Sequence, residues 1–276
     1  MKGANTVFKS AAYVLKENFT NLYRIYSISR YELLADIRDS KLGLFWNFAN
    51  PVIQVLTYWL VFGVIMPGRS EQDGIPYICW LLGGIVVWFF ISPCITNGCN
   101  AIYSKRDIIT KMKFPVSILP ATVVIKELFN HVCLLLIVVA SFAAFDFYPN
   151  LYWLGLIYYL FCAVVFSIAL SLTTSVLNML ARDTRKLILA CMRLLMYLTP
   201  ILWSPDKLNA HPTLKFVMNF NPIHYIVQGY RDCFFFHEGI ASFVTQTAIF
   251  WGITLFLFMI GSYMIYKFKH KFMDLL

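Results

Sequence analysis

The sequence predicts an all-α integral membrane protein with six transmembrane helices, and three observations carry that prediction. Apolar residues make up 59% of the 276 and charged residues only 13%, against about 25% charged in soluble domains. Several apolar stretches reach the ~20 residues needed to cross ~30 Å of hydrocarbon. Lysines and arginines collect in alternate connections, as they do on the cytosolic side of a membrane protein. The formal net charge of +9 therefore follows the membrane and implies no nucleic acid.

Residues 1–43 form a segment of their own, outside the six-span domain 44–276. Phe8, Ala11, Leu15, Phe19, Leu22 and Tyr26 recur at three- and four-residue steps, with Lys9, Lys16, Glu17 and Arg24 between them. That period is an amphipathic helix, suited to lie in the interface plane with its basic residues near lipid phosphates. The alternative is a solvated helix packed on a protein surface. The polar first turns predict no cleavable signal peptide.

The spans are expected at about 44–66, 75–103, 116–145, 151–180, 187–203 and 240–266. The first opens on Phe45, Trp46, Asn47 and Phe48, then Asn50-Pro51. Aromatic rings prefer headgroup level, which places this end at the cytosolic edge, and Pro51 sits in the first turns, where it disrupts least. Met66-Pro67-Gly68 ends the span. The second contains Gly83-Gly84 and Pro93, and a kink is expected near Pro93. The third carries Lys126, Glu127 and His131 near its start, and Tyr148-Pro149-Asn150 turns the chain into the uncharged fourth. The fifth includes Arg193 and Pro200. From Ser204 to Gly239 an apolar stretch is interrupted by Asn219, Asn221, Pro222 and His224. Such backbone is tolerated at membrane depth only when covered by protein or lining a cavity, so it reads as re-entrant half-helices. The sixth span ends in Lys267, Lys269 and Lys271.

Counting Lys and Arg gives seven in the N-terminal segment, then four, three and three in the second-to-third loop, the fourth-to-fifth loop and the tail. The opposite side has one in the first loop, none in the next and three in the last, including Arg231. Both termini are thus expected in the cytosol.

Between the second and third spans lies a short charged piece, Ser104 to Pro115. Ser104 and Asp107 have capping-box spacing, and Pro115 disfavours helix at Phe114. Ile108, Ile109 and Met112 are expected on one side of the helix, with Lys105, Arg106, Lys111 and Lys113 around the rest. The piece is either a charged loop that fixes orientation or a knob that plugs into a soluble partner.

Chemistry of its own is not expected. The seven cysteines are odd in number, lie mostly in apolar runs and show no CxxC pair, so they read as small buried hydrophobes. There is no glycine-rich phosphate loop, no catalytic Ser/His/Asp set and no metal cluster. An ion-driven transporter would want internal repeats and mid-membrane acids. A lipid-processing enzyme would want clustered acids or histidines, but the 14 acids here are scattered.

Three motifs, in order on this topology, carry a resemblance. They are Arg38-Asp39-Ser40-Lys41-Leu42-Gly43-Leu44-Phe45-Trp46 through Asn50-Pro51; Asp107-Ile108-Ile109-Thr110-Lys111 with Phe114-Pro115 and Leu119-Pro120; and Asn221-Pro222 with Tyr230-Arg231. With them the sequence resembles the membrane (permease) subunits of ABC exporters of the type-2 class. Within that class it looks like the polysaccharide-export branch and most like a wall teichoic acid permease, with O-antigen or capsule as the alternative cargo. The resemblance implies a homodimer in the bacterial plasma membrane with two copies of a separate ATPase, which binds the ATP and Mg. It implies a coupling helix comprising Ser104, Lys105, Arg106, Asp107, Ile108, Ile109, Lys111, Met112, Lys113 and Phe114, and an outer gate containing Asn221, Pro222, His224 and Tyr230. The cargo would be a polymer on a polyprenyl-diphosphate lipid, taken from the inner leaflet into a tunnel between subunits. Trp46, Tyr58, Trp59, Tyr197 and Trp203, on the first and fifth spans, would border its path. Arg193 would meet either the diphosphate or a structural partner.

Overall fold

The computed structural model describes residues 2–38, 43–65, 71–72, 74–111, 114–237 and 244–269. Two helices come first, α1 (Lys2–Thr20) and α2 (Leu22–Arg38). The first apolar helix, α3 (Gly43–Tyr58), runs on into a π-helical turn, Trp59–Ile65. A two-stranded antiparallel ribbon, β1 (Glu71–Gln72) and β2 (Ile75–Pro76), pairs Gln72 with Ile75 and turns at Gly74, whose φ of 76° suits glycine. Then come α4 (Tyr77–Gly98), α5 (Ala101–Ser104), α6 (Arg106–Lys111), α7 (Leu119–Ala143), α8 (Gly155–Leu180) and α9 (Asp183–Leu198). Short α10 (Pro212–Asn219) and α11 (Pro222–Arg231) precede a second π-helical turn, Asp232–Phe236, and α12 (Val244–Phe268) closes the described chain.

Among the described residues, five helical segments are long and apolar enough to cross a membrane: Phe45–Ile65, Tyr77–Gly98, Val116–Ala143, Leu151–Leu180 and Val244–Phe268. They coincide with five of the six expected spans. The expected fifth, 187–203, takes a different form. Its helix α9 begins earlier, inside the anticipated basic loop, and ends at Leu198 after 16 residues. At 1.5 Å per residue that covers about 24 Å, short of the hydrocarbon thickness. Pro200 is the cause: it drives Thr199 to ψ 139° and out of the helix. The second span also differs from expectation. The helix continues through Pro93 and breaks instead at Cys99–Asn100, before α5.

The core is built on α4, which packs against α7 and α8, while α8 runs along α12 and α11 wedges against α4 and α8. Of the five spans α4 is the most enclosed, with 72% of its apolar window buried, whereas α3 buries Val55 against the core and otherwise lies on the outside. The wedge depends on close backbone approach. A Cβ on Gly229 would enter the Tyr159 ring and one on Gly84 would enter the Arg231 guanidinium, so glycine lets α11 sit against α8 and Arg231 sit against α4.

The N-terminal helices dock by their small and polar side. α1 lies along α12 and α2 along α7. Ser10, Val14, Ile25 and Ser29 are buried, and the Ser29 hydroxyl donates to the Thr122 carbonyl at 2.8 Å. Glu17 accepts from Ser117 and from Tyr13, at 2.7 Å for the latter. Burial, with that carboxylate second, pushes the Tyr13 phenol up to about 12, so it remains a donor. The large apolar side chains read from the period face away: Phe8 is 64% exposed and Phe19 69%, with Leu15, Leu22 and Tyr26 also open.

Candidate functional site

Three helices carry polar residues at helical spacing, and the fold turns all three stripes toward one place. On α3 they are Asn47, Asn50 and Gln54; on α4, Ser92 and Thr96, one turn beyond Trp88; on α7, Glu127, Asn130 and His131. Together with Trp46 and Phe89 they line a cleft of about 360 Å³. Side chains of this kind are expensive in hydrocarbon and belong where protein or water meets them. Asn47 Nδ2 donates to Asn130 Oδ1 at 3.4 Å, while Asn97 and Asn130 donate to the two oxygens of Glu127 at 3.2 and 3.3 Å. His131, on the cleft wall, pairs its Nε2 with the Tyr230 hydroxyl at 3.2 Å, linking the cleft to the end of α11.

Polarity is graded along the helices. On the N-terminal side of α7, a smaller cavity of about 190 Å³ is lined by charge: Glu32, Lys105, Lys126, Glu127 and Arg185. Lys105 pairs there with Glu32, and Lys126 with Asp36. In the opposite direction the cleft gives way to an apolar crevice of about 230 Å³ between Val52, Val55, Leu82, Ile85, Leu134 and Val138.

The charged piece between α5 and α7 starts differently from expectation. Ser104 does not cap it; it ends α5, its hydroxyl donating back to the Ala101 carbonyl at 3.1 Å, and Lys105 forms the turn before α6. The expected apolar face is split. Ile109 is buried among Val14, Ile102, Val116 and Leu119, whereas Ile108 is 43% exposed. Ile109 therefore seats the helix on its own chain, and Arg106, Asp107, Ile108 and Lys111 present outward. Arg106 lies over the Tyr103 ring at 4.7 Å. Phe114 is half-buried; Met112 and Lys113 lie outside the described residues.

The residues expected along the substrate path fall into two groups. Trp46 lines the cleft. Tyr58 and Trp59, at the far end of α3, stand near the end of α9, where the Tyr58 hydroxyl meets Met196 Sδ at 3.6 Å and Trp203 Nε1 donates to the Tyr197 carbonyl at 2.9 Å. Arg193 joins neither. It points outward from α9, and its Nε donates to the Leu189 carbonyl at 3.3 Å.

At the expected gate, the Asn221-Pro222 motif is a helix start. Asn221 Oδ1 accepts from the Ile223 amide at 3.0 Å, its Nδ2 donates to Thr199 Oγ1 at 2.9 Å, and Pro222 takes the first helical position. His224 borders a small cavity of about 110 Å³ with Gln228 and Asp232. The sequence places Arg231 among the charges of an outer loop; that is corrected here, for Arg231 is fully buried. Its guanidinium lies 3.4 Å from the Trp80 ring centroid and donates to the Pro200 and Ile201 carbonyls at 2.7 Å each. It fastens α11 to α4 and to the chain leaving α9. The polar stripe on α3, Asn47, Asn50 and Gln54, is visible in the sequence by its three- and four-residue steps.

Among the described residues no group of three His, Cys, Asp or Glu side chains is placed to hold a metal ion. The family model described as "ABC-2 type transporter" matches residues 23–235. The chain belongs to the ABC-2 type transporter family. The matched residues take in α2 through α11, and so both the cleft and the Arg231 junction. Among curated relatives, the O-antigen export system permease protein RfbA of Myxococcus xanthus is 27% identical over 212 residues, covering 77% of this chain and 80% of that one. The protein of the same description from Klebsiella pneumoniae is 25% identical over 250 residues, covering 90% of this chain and 93% of its own.

Proposed function

We propose that this ABC-2 type chain is the permease subunit of an ATP-driven exporter. It carries a polysaccharide on a polyprenyl-diphosphate lipid from the cytosolic to the outer face of the bacterial plasma membrane. Two copies of the chain work with two copies of a separate ATPase, which supplies the ATP and Mg sites. The observation that carries the reading is the alignment of 90% of the chain with an O-antigen export permease. It favours an O-antigen-type glycan as cargo; nothing in the relatives' names bears on teichoic acid.

The geometry supports a division of labour. The outward face of α6, with Arg106, Asp107, Ile108 and Lys111, meets the ATPase, and buried Ile109 holds that helix to α1 and α5. On this reading α6 and the N-terminal helices α1 and α2 lie on the cytosolic side. The sixth crossing is made by α9 together with the non-helical chain that follows it. The half-helices α10 and α11 close the outer end. The cleft, Tyr58, Trp59, Tyr197 and Trp203 border the cargo's path. Deleting the chain from its host tests the reading: lipid-linked polymer should accumulate on the cytosolic side and vanish from the surface. Unchanged surface polymer would refute it.

A further inference from the structure

We propose that the cleft between α3, α4 and α7 is a subsite for an uncharged sugar ring of the passing chain, and that Glu127 makes it reject phosphate-bearing repeat units. This deepens the exporter reading and rests on it. The cleft's volume of about 360 Å³ lies within the ~300–1,000 Å³ of small-ligand sites.

Its chemistry is that of hydroxyl recognition. Amides both donate and accept, and a carboxylate accepts only. Glu127 receives one amide on each oxygen, from Asn97 and Asn130, which fixes its orientation and leaves further lone pairs for two neighbouring sugar hydroxyls. Asn50 and Gln54 are exposed on the cleft and have no hydrogen-bond partner among the described residues, so they are open to a ligand. Trp46, 45% exposed on the cleft, supplies a flat apolar face for the C–H side of a pyranose.

The charge balance decides the class. No lysine or arginine lines the cleft among the described residues. Glu127 also borders the adjoining charged cavity with Lys105, Lys126 and Arg185, where Lys105 pairs with Glu32 and Lys126 with Asp36. On the cleft side a phosphate would meet the Glu127 carboxylate with no cation in the lining. A neutral ring gains from the same carboxylate.

The test uses the full chain in lipid nanodiscs and two sets of probes: neutral hexose and deoxyhexose oligosaccharides, and glycerol phosphate oligomers of matched length. Binding is followed by saturation-transfer NMR and titration. The wild type should bind neutral members and bind glycerol phosphate about tenfold more weakly, the size of one like-charge contact at partial exposure. Glu127→Gln should remove that discrimination while neutral binding stays within a few-fold. Gln54→Ala, at an exposed position with no partner to lose, should weaken neutral binding about fivefold, one hydrogen bond's worth. Neutral binding that neither variant alters would overturn the subsite. Wild-type preference for glycerol phosphate would overturn the role of Glu127 and leave the exporter reading standing. Failure of both probe sets to bind would overturn the subsite and leave the exporter reading to the deletion test.

Discussion

Replacing Arg231 with Met should weaken the whole outer half of the protein. The guanidinium is fully buried, donates to two carbonyls at 2.7 Å and lies on the Trp80 ring. Met fills similar space but leaves the Pro200 and Ile201 carbonyls without these donors, at about 1–3 kcal/mol each. Loss of the cation–π contact adds about 2 kcal/mol. Relief of the burial cost of the charge, several kcal/mol, opposes these losses. The net expectation is a loss of about 3 kcal/mol, or about 6–12 °C in melting midpoint at 2–4 °C per kcal/mol. Arg231→Lys keeps the charge but cannot reach both carbonyls and the ring in one geometry, so it should lose about half as much. The assay is tryptophan-fluorescence melting of the full chain in detergent at one fixed scan rate. A Met variant melting within about 2 °C of wild type would show that burial cost cancels the contacts and that Arg231 fastens nothing.

The two neighbours on α6 should separate folding from docking. Ile109→Asp puts a carboxylate into a packed cluster and should lower the melting midpoint sharply, whereas exposed Ile108→Asp should fold normally yet recover less ATPase in a pull-down; equal recovery would remove α6 from coupling. A peptide of residues 5–30 should bind anionic vesicles, and replacing Phe8, Leu15 and Leu22 with Ser should abolish this, since each buried side chain contributes about 1.5–3 kcal/mol; a wild-type peptide that stays in solution would refute the interface role. Arg193→Gln, at an exposed position outside both groups of path residues, should assemble, hydrolyse ATP and export polymer at the wild-type ratio. Reduced export per ATP by the Gln variant would put Arg193 on the cargo's path.

Long periodic apolar runs were legible because composition alone decides them: the fourth span was expected at 151–180, and the helical segment there is Leu151–Leu180. Boundaries set by a single residue were less so. Pro200 was visible inside the expected fifth span, but its effect on Thr199 decides whether α9 can cross by itself. The capping box failed because Ser104 has a competing acceptor one turn back, the Ala101 carbonyl, which spacing cannot reveal. Adjacent Ile108 and Ile109 look alike in sequence and differ only through what packs behind them. Charge counting treats every loop residue as solvated, whereas Arg231 is paired across 30 and 151 positions. The cleft needed three distant stripes to converge, and the steps within each helix do not reveal which stripes face one another.

The most direct test of the central claim is transport in sealed vesicles containing the chain and its ATPase, with lipid-linked polymer supplied on the ATPase side. The account predicts that polymer crosses only while ATP is hydrolysed, that an inactive ATPase stops it, and that collapsing ion gradients does not. Movement driven by an ion gradient without the ATPase would contradict the account.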